Sequence, residues 1–148
     1  MASFEHLFKA SNGKPIEYGG RTLILVDRFP TNGARQLLLV EERHGEWRQG
    51  VALRLVQKGD LTINGQRMKH AVCWQDTAPE AVEIGIPRNV DTIAVNNIWD
   101  TGDGVTESWH NGAAMIVEEL PDGRRYRCSD GHPDEDFDDI VFRVERRK

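Results

Sequence analysis

Cysteine is scarce in this sequence, which contains only two, Cys73 and Cys128. They lie 55 positions apart by their numbers, so they do not form the closely spaced pair that is typical of a structural zinc site. In a reducing cytosol, two such residues are typical of buried free thiols rather than of a disulfide. We therefore predict that both cysteines are free.

Long apolar runs are also absent. No stretch approaches the roughly 20 apolar residues that a membrane-spanning helix needs. Residues 1–6 have no basic start and no continuous apolar run, so they do not read as a secretory signal. We expect a cytoplasmic protein without a membrane partner.

Positively charged residues are fewer than negatively charged ones. The sequence has 19 Lys and Arg and 24 Asp and Glu, which gives a net charge of −5 at pH 7. Nucleic-acid binding depends on clustered Lys and Arg, so this balance argues against a nucleic-acid partner. It suits a metal cation, a basic protein partner or solubility. Phosphate-binding glycine loops, dinucleotide fingerprints, nucleophile elbows and His-x-x-x-His zinc spacing are missing as well.

Turn-forming dipeptides, in contrast, are abundant. Asn-Gly or Asp-Gly pairs suit two-residue hairpin turns, and β-rich runs flank several of them. Alternation places Tyr126 and Cys128 on an inward face, and it groups Ile140, Phe142 and Val144 on one face. The runs and their turns are 22–29 and 36–43 around Asn32-Gly33, 61–63 and 66–74 around Asn64-Gly65, and 113–120 and 124–128 around Asp122-Gly123.

Eight to ten short strands with turns between them predict an all-β fold, an antiparallel β-sandwich of jelly-roll-like type. A β-barrel is the alternative. Only the start looks helical, because Phe4, Leu7 and Phe8 have helical spacing after a possible N-cap at Ser3. With 148 residues, 39% of them hydrophobic, the chain is long enough to bury one core, and we predict a single domain over residues 1–148.

Residues 130–139 are the most unusual segment, because six of these ten positions carry carboxylates. Crowded carboxylates repel one another, and a hard cation bound by several oxygens would relieve that repulsion. The glycine and glutamate spacing of an EF-hand is absent. The alternative is a solvated acidic turn whose carboxylates pair with nearby Arg143, Arg146, Arg147 or Lys148.

Within this segment, residues 134–142 read Asp-Glu-Asp-Phe-Asp-Asp-Ile-Val-Phe. They resemble the signature Asp-x-Asp-(Phe/Tyr)-(Asn/Asp)-Asp-aliphatic-Val-Phe, which closes some bacterial β-sandwich domains, often in secreted or adhesive proteins linked to calcium. The resemblance covers nine residues, and the chain departs from that family in its lack of a recognisable export signal. It implies a calcium ion on a loop before the last strand, with four ligands: Asp134, Asp136, Asp138 and Asp139.

Two further groups of residues are candidates for a site. Asp100 and Asp103 lie in a second acidic loop, which also contains glycine. They would complete the cation site if both loops lie at one end of the sandwich. The alternative is that this second loop is a plain polar turn. Trp47 and Trp109 have polar neighbours and suit a partner surface. Glu107 and His110, beside Trp109, are added to that predicted partner surface.

We therefore predict a non-enzymatic binding module that recognises a protein or carbohydrate partner, with calcium at the acidic segment. One alternative is a cytosolic immunity-type protein whose acidic surface neutralises a basic bacterial toxin. A second is a hydrolase that uses His110 or His132 together with a carboxylate. The oligomeric state and the strand order are not predicted.

Overall fold

The structure is a computed structural model that describes residues 10–11, 14–18, 21–44, 48–74, 81–100, 106–107, 114–129 and 140–147. The predicted helix at Phe4, Leu7 and Phe8 lies outside these ranges. The strands are β1 (Ile16–Tyr18), β2 (Arg21–Leu23), β3 (Asp27–Pro30), β4 (Gln36–His44), β5 (Arg48–Leu55), β6 (Leu61–Ile63), β7 (Gln66–Met68), β8 (His70–Trp74), β9 (Ala81–Gly85), β10 (Thr92–Asp100), β11 (Thr106–Glu107), β12 (Ala114–Leu120), β13 (Gly123–Ser129) and β14 (Ile140–Arg147).

Most of these strands belong to two antiparallel sheets. The seven-stranded sheet has the order β12-β13-β14-β4-β9-β6-β7. The five-stranded sheet has the order β11-β10-β5-β8, and β3 also pairs with β10. Among the described strands no pairing joins these two sheets, so the fold is the predicted sandwich and the β-barrel alternative is wrong. No helix in the described ranges is long and apolar enough to cross a membrane.

Side chains from both sheets form one hydrophobic core. As predicted, Tyr126 and Cys128 face inward and are fully buried, and so are Ile140, Phe142 and Val144. The Tyr126 and Phe142 rings stack with their centres 5.0 Å apart. The five-stranded sheet contributes Phe29, Val51, Leu53, Leu55, Ile93 and Val95 to the same core.

Two of the Asn-Gly turns, Asn32-Gly33 and Asn64-Gly65, lie in the described residues, and both form where they were predicted. Asn32, Gly33, Asn64 and Gly65 all have positive φ, which Asn and Gly tolerate better than other residues. Asn64-Gly65 closes the β6–β7 hairpin, and β12 and β13 form the predicted hairpin around Pro121 and Asp122.

The hairpin predicted around Asn32-Gly33 is wrong. The turn itself is present, but β3 pairs with β10 in one sheet, while β4 pairs with β14 and β9 in the other. This turn therefore carries the chain across the sandwich rather than back along one sheet.

The strands give the sandwich two ends. At the arginine end, β3, β9, β12 and β14 finish, while β4, β10 and β13 begin. At the opposite, acidic end, β4, β10 and β13 finish, while β5 and β14 begin. The acidic end is named after the acidic segment, residues 130–139, whose flanking residues Ser129 and Ile140 lie there.

Candidate functional site

Of the residues predicted to bind a cation or a partner, the structure describes two, Asp100 and Glu107. Asp100 is the last residue of β10, and Glu107 is the last residue of β11, which pairs with β10 there. The remaining candidates lie outside the described residues: Trp47, Asp103, Trp109, His110, Asp134, Asp136, Asp138 and Asp139. In the described part of the chain, no group of three or more His, Cys, Asp or Glu could hold a metal ion.

The strand ends that flank these candidates lie close together. Ile140, which follows the acidic segment, is opposite His44, and Asp100 is opposite Arg48. Only three residues connect His44 to Arg48, so the two sheets meet at this end. The strand ends next to both acidic loops therefore lie at the same end of the sandwich.

A cleft of about 1120 Å³, which we call the arginine cleft, lies at the arginine end. Its charged lining residues are four arginines and two aspartates: Arg35, Arg67, Arg146, Arg147, Asp60 and Asp122. The cleft is larger than a typical small-molecule pocket. It therefore has room for an extended group on a larger partner.

Strand register brings two of these arginines into one row across the seven-stranded sheet. Arg147 is opposite Gln36, Gln36 is opposite Gly85, Gly85 is opposite Thr62, and Thr62 is opposite Arg67. Directly paired residues share one face of a sheet. Four inter-strand steps of about 4.8 Å place the backbones of Arg147 and Arg67 about 19 Å apart. Gly85 has no side chain, so the middle of the row is open.

This row lies on the outer face of the sheet. Leu37 and Ile84, which follow Gln36 and precede Gly85 respectively, are fully buried in the core. Because side chains alternate along a strand, Gln36 and Gly85 belong to the opposite face. The arginines of the row are exposed accordingly.

Arg146 is held in place by three contacts. Its Nε–H donates a hydrogen bond to the Pro30 carbonyl oxygen at 2.8 Å, and its guanidinium carbon lies 4.8 Å from the centre of the Phe29 ring. Its backbone N–H donates to the Asp122 carbonyl oxygen at 2.6 Å. These contacts position one positive charge of the cleft before any ligand arrives.

Hydrogen bonds also connect the loops at the arginine end. Gln57 Nε2 donates to the Asn89 carbonyl oxygen at 3.1 Å, and Asn89 Nδ2 donates to the Lys58 carbonyl oxygen at 2.7 Å. The Asp91 backbone N–H donates to Gln57 Oε1 at 2.7 Å, and the Thr31 N–H donates to the Asp91 carbonyl oxygen at 2.9 Å. These bonds tie together loops whose neighbouring residues Asn32, Gly59 and Pro87 line the cleft.

Other arginines of the seven-stranded sheet differ from those of the cleft, because carboxylates neutralise them. Hydrogen bonds from Arg125 and Arg127 hold the pKa of Glu42 and of Glu118, respectively, below its ordinary value. The ion pairs are Arg124–Asp27, Arg124–Glu119, Arg125–Glu42, Arg125–Glu118, Arg127–Glu118, Arg143–Glu42 and Arg143–Glu145. Arg35, Arg67 and Arg147 form no ion pair within the described residues.

Asp27 connects the two sheets near the arginine end. It lies in β3, and its Oδ2 accepts hydrogen bonds from the Tyr126 hydroxyl at 2.5 Å and from Arg124 Nη1 at 2.8 Å. Burial, followed by the nearby Asp27 charge, raises the pKa of Tyr126. The hydroxyl therefore stays protonated and donates to Asp27 at neutral pH.

Cys73 and Cys128 are not joined in a disulfide, as predicted. Cys73 lies in β8 of the five-stranded sheet, and Cys128 lies in β13 of the seven-stranded sheet. Burial raises the pKa of the Cys73 thiol, so its reactive thiolate form is disfavoured.

The arginine cleft was missed by reasoning from the sequence. One signal was present, because Arg35 and Arg67 each follow an Asn-Gly pair by two residues. The alternative interpretation of the acidic segment pairs it with Arg143, Arg146, Arg147 or Lys148. Arg146 and Arg147 lie at the far end of β14 from Ile140, and Arg143 forms ion pairs with Glu42 and Glu145.

In comparisons with known proteins, no family model, no curated protein and no solved structure matches this chain. The resemblance of residues 134–142 to calcium-linked domains stays a prediction.

Proposed function

We propose that this chain is a non-enzymatic binding module whose arginine cleft takes anionic groups of a protein or carbohydrate partner. The observation that carries the proposal is the presence of Arg35, Arg67 and Arg147 in one cleft without ion pairs to described residues. Elsewhere on the same sheet, Arg125, Arg127 and Arg143 have carboxylate partners. The counter-charge for the cleft is therefore expected from outside the chain.

Carboxylates are the anions that this cleft suits best. A guanidinium group presents a planar fork of donors that matches a carboxylate, and such charge-assisted pairs are among the stronger hydrogen bonds in proteins. Asp60 and Asp122 also line the cleft, so a uniformly charged polyanion would meet repulsion there. A partner with spaced carboxylates is favoured over a nucleic acid.

The lining of the cleft supports binding rather than catalysis. The described residues that line it include no His, Cys, Ser, Lys or Tyr, and among them Asp60 and Asp122 are the side chains suited to general acid or base work. The alternatives of a toxin-neutralising immunity protein and of a hydrolase using His110 or His132 remain predictions, since no described contact favours either one.

We also propose calcium binding at the acidic end, with Asp134, Asp136, Asp138 and Asp139 as ligands and with Asp100 and Asp103 contributed by the second loop. The supporting observation is that the flanking strand ends of both loops lie at one end of the sandwich. Oxygen-rich sites of this kind suit calcium. Trp47, Trp109, Glu107 and His110 stay as proposed partner contacts at the same end.

The cleft is tested with a fluorescently labelled oligoglutamate peptide and with a carboxylated oligosaccharide, by anisotropy at low ionic strength. The variant Arg67→Gln/Arg147→Gln is expected to bind about tenfold more weakly, because each lost charged hydrogen bond is worth roughly 1.5–3 kcal/mol before solvent screening. The matched control is Arg28→Gln/Arg54→Gln, two exposed arginines opposite Ala94 on the five-stranded sheet. Equal affinity of both variants, or no binding by the wild type, would refute the proposal.

A further inference from the structure

We propose that β8, in the five-stranded sheet, pairs antiparallel with β8 of a second copy of this chain. This strand pairs with β5 on one side and with no other described strand. The inference goes beyond the proposed function, because the arginines of the cleft do not belong to this sheet.

The backbone of β8 offers hydrogen-bonding groups on the side away from β5. The Leu55 N–H donates to the Lys69 carbonyl oxygen at 3.2 Å, which extends the register of β5 and β8 by one residue. Hydrogen-bonded and non-hydrogen-bonded pairs alternate along an antiparallel ladder. His70 and Val72 therefore belong to non-hydrogen-bonded pairs, the second with Ala52. Their N–H and C=O groups point away from β5, to the open side of the strand.

The side chains of the same two residues are exposed. Ala71, between them, is only 3% exposed and packs in the core, so His70 and Val72 lie on the outer face of the sheet. Val72 is 42% exposed and is one of two exposed large apolar side chains among the described residues. An apolar side chain and outward backbone groups at one position suit an added strand.

A second copy of β8 matches this edge by two-fold symmetry. In the antiparallel alignment that overlaps all five residues of β8, Val72 lies opposite Val72 of the second copy, and His70 lies opposite Trp74. The two copies then exchange two backbone hydrogen bonds at Val72, and the two exposed valines form a cross-strand pair.

Charge does not oppose this alignment. The strand contains no Lys, Arg, Asp or Glu, so like charges do not face each other at neutral pH. Both copies use the same surface, so the contact is isologous and closes as a dimer without further growth.

The properties of such a dimer follow from its size and its chemistry. Two five-residue strands make a small contact, so we expect a reversible dimer with a Kd between about 1 µM and 1 mM. Backbone hydrogen bonds and apolar side chains hold it together. At about 1 M salt, where charges are screened beyond about 3 Å, the dimer should therefore persist.

The test is sedimentation velocity of the full chain over a dilution series that reaches about 1 mM. A monomer–dimer equilibrium that stops at the dimer is expected. Wild-type protein that stays monomeric throughout would overturn the inference and leave the edge to an extended segment of another protein. Growth beyond the dimer would contradict the two-fold contact.

Substitutions at Val72 test the alignment, because this residue is expected to face its own copy. Val72→Lys and Val72→Glu each place like charges opposite one another, so each alone should dimerise at least about tenfold more weakly. An equimolar mixture of the two should form a one-to-one heterodimer. The matched control is Val56→Lys, which changes the other exposed valine outside β8 and should dimerise like the wild type. Homodimers of Val72→Lys, or a mixture that stays monomeric, would refute the alignment.

Val72→Pro tests the direction of the backbone groups. It removes an N–H on the open side and leaves the hydrogen bonds between β5 and β8 intact, a position where an edge strand tolerates proline. The variant should fold, as circular dichroism reports, and stay monomeric. A variant that fails to fold would contradict the assigned direction of this N–H, and dimerisation with wild-type affinity would refute the contact.

The outcome is separable from that of the proposed function. Arg67→Gln/Arg147→Gln should lose oligoglutamate binding and still dimerise like the wild type. Val72→Pro should lose dimerisation and still bind oligoglutamate. If the cleft variant also failed to dimerise, the contact would involve the cleft and not the edge of β8.

Discussion

The arginine end of the sandwich and the acidic segment carry opposite charges, and their charges are assembled in different ways. In the acidic segment, six carboxylates lie within ten consecutive residues of the sequence. At the arginine end, the positive charges come from Arg35 just before β4, from Arg67 in β7 and from Arg146 and Arg147 in β14. Strand pairing brings them together. Charge at the arginine end therefore depends on the integrity of the sheet, whereas charge at the acidic end depends on local composition alone.

The strongest way to break the arginine end is Gly123→Ala. A Cβ at this position would lie 1.9 Å from the Val144 carbonyl oxygen, so β13 and β14 would have to separate beside the cleft. We expect a loss of about 3 kcal/mol in the free energy of unfolding, measured with urea, at the upper end of overpacking costs.

The matched control for that change is Gly33→Ala. Gly33 has a φ of +81°, but a Cβ there would meet nothing within 4 Å. We expect a cost of about 1 kcal/mol from backbone strain alone. Equal costs for the two substitutions would mean that close strand approach at Gly123 is unimportant.

The acidic end is tested by calcium titration. If calcium binds the folded state only, a concentration of 100 times Kd should raise the free energy of unfolding by about 2.7 kcal/mol, and thermal melting reports this as a higher Tm. Asp136→Ala/Asp138→Ala should abolish the shift, and Asp60→Ala at the arginine end should keep it. No shift in the wild type, or an equal shift in the first variant, would contradict the calcium proposal.

Asp27→Ala tests how far the arginine end depends on the connection between the sheets. The change leaves the Tyr126 hydroxyl and the Arg124 guanidinium without their shared acceptor. We expect a loss of about 2 kcal/mol, because partly buried donors would lose their partner. Tyr126→Phe, which keeps the Asp27–Arg124 pair, should cost about 1 kcal/mol. A larger loss in Tyr126→Phe than in Asp27→Ala would contradict this account.

The smallest expected effect concerns Glu42, near the acidic end of β4. The hydrogen bond from Arg125 lowers its pKa from 4.5, so its stabilising contribution is present above that value and is lost as pH falls through the lowered pKa. Because the pair is partly exposed, the contribution should be below about 1 kcal/mol. Glu42→Gln should remove it at neutral pH and cost progressively less stability as the pH falls through the lowered pKa of Glu42. The control is Glu83→Gln, which removes an exposed carboxylate that has no ion pair to described residues. If this control lost as much free energy of unfolding as Glu42→Gln, the effect would come from net charge and not from the ion pair.

Much of the fold followed from local sequence patterns. Alternation around Tyr126 and Phe142 identified the inner faces of β13 and β14, and the Asn64-Gly65 pair located a hairpin turn. The pairing of β3 and β4 could not be predicted in this way, because the turn at Asn32-Gly33 serves a crossover between sheets as well as it serves a hairpin.

Of the two candidate sites, one could be predicted from the local sequence and the other could not. The acidic segment was visible because its charges are consecutive. The arginine cleft was not, because the row from Arg147 to Arg67 depends on the register of five strands. Register is set by long-range pairing, which a single sequence does not specify.

The position of Arg67 has a consequence for aggregation. It is the middle residue of β7, a three-residue strand at one edge of the seven-stranded sheet, and short charged edges resist the addition of foreign strands. At the other edge, Met115 of β12 exchanges backbone hydrogen bonds with Ile24, at 2.8 and 3.0 Å. An arginine that serves ligand binding would thus also protect the sheet, so replacing it by an apolar residue would expose a template for edge-to-edge assembly.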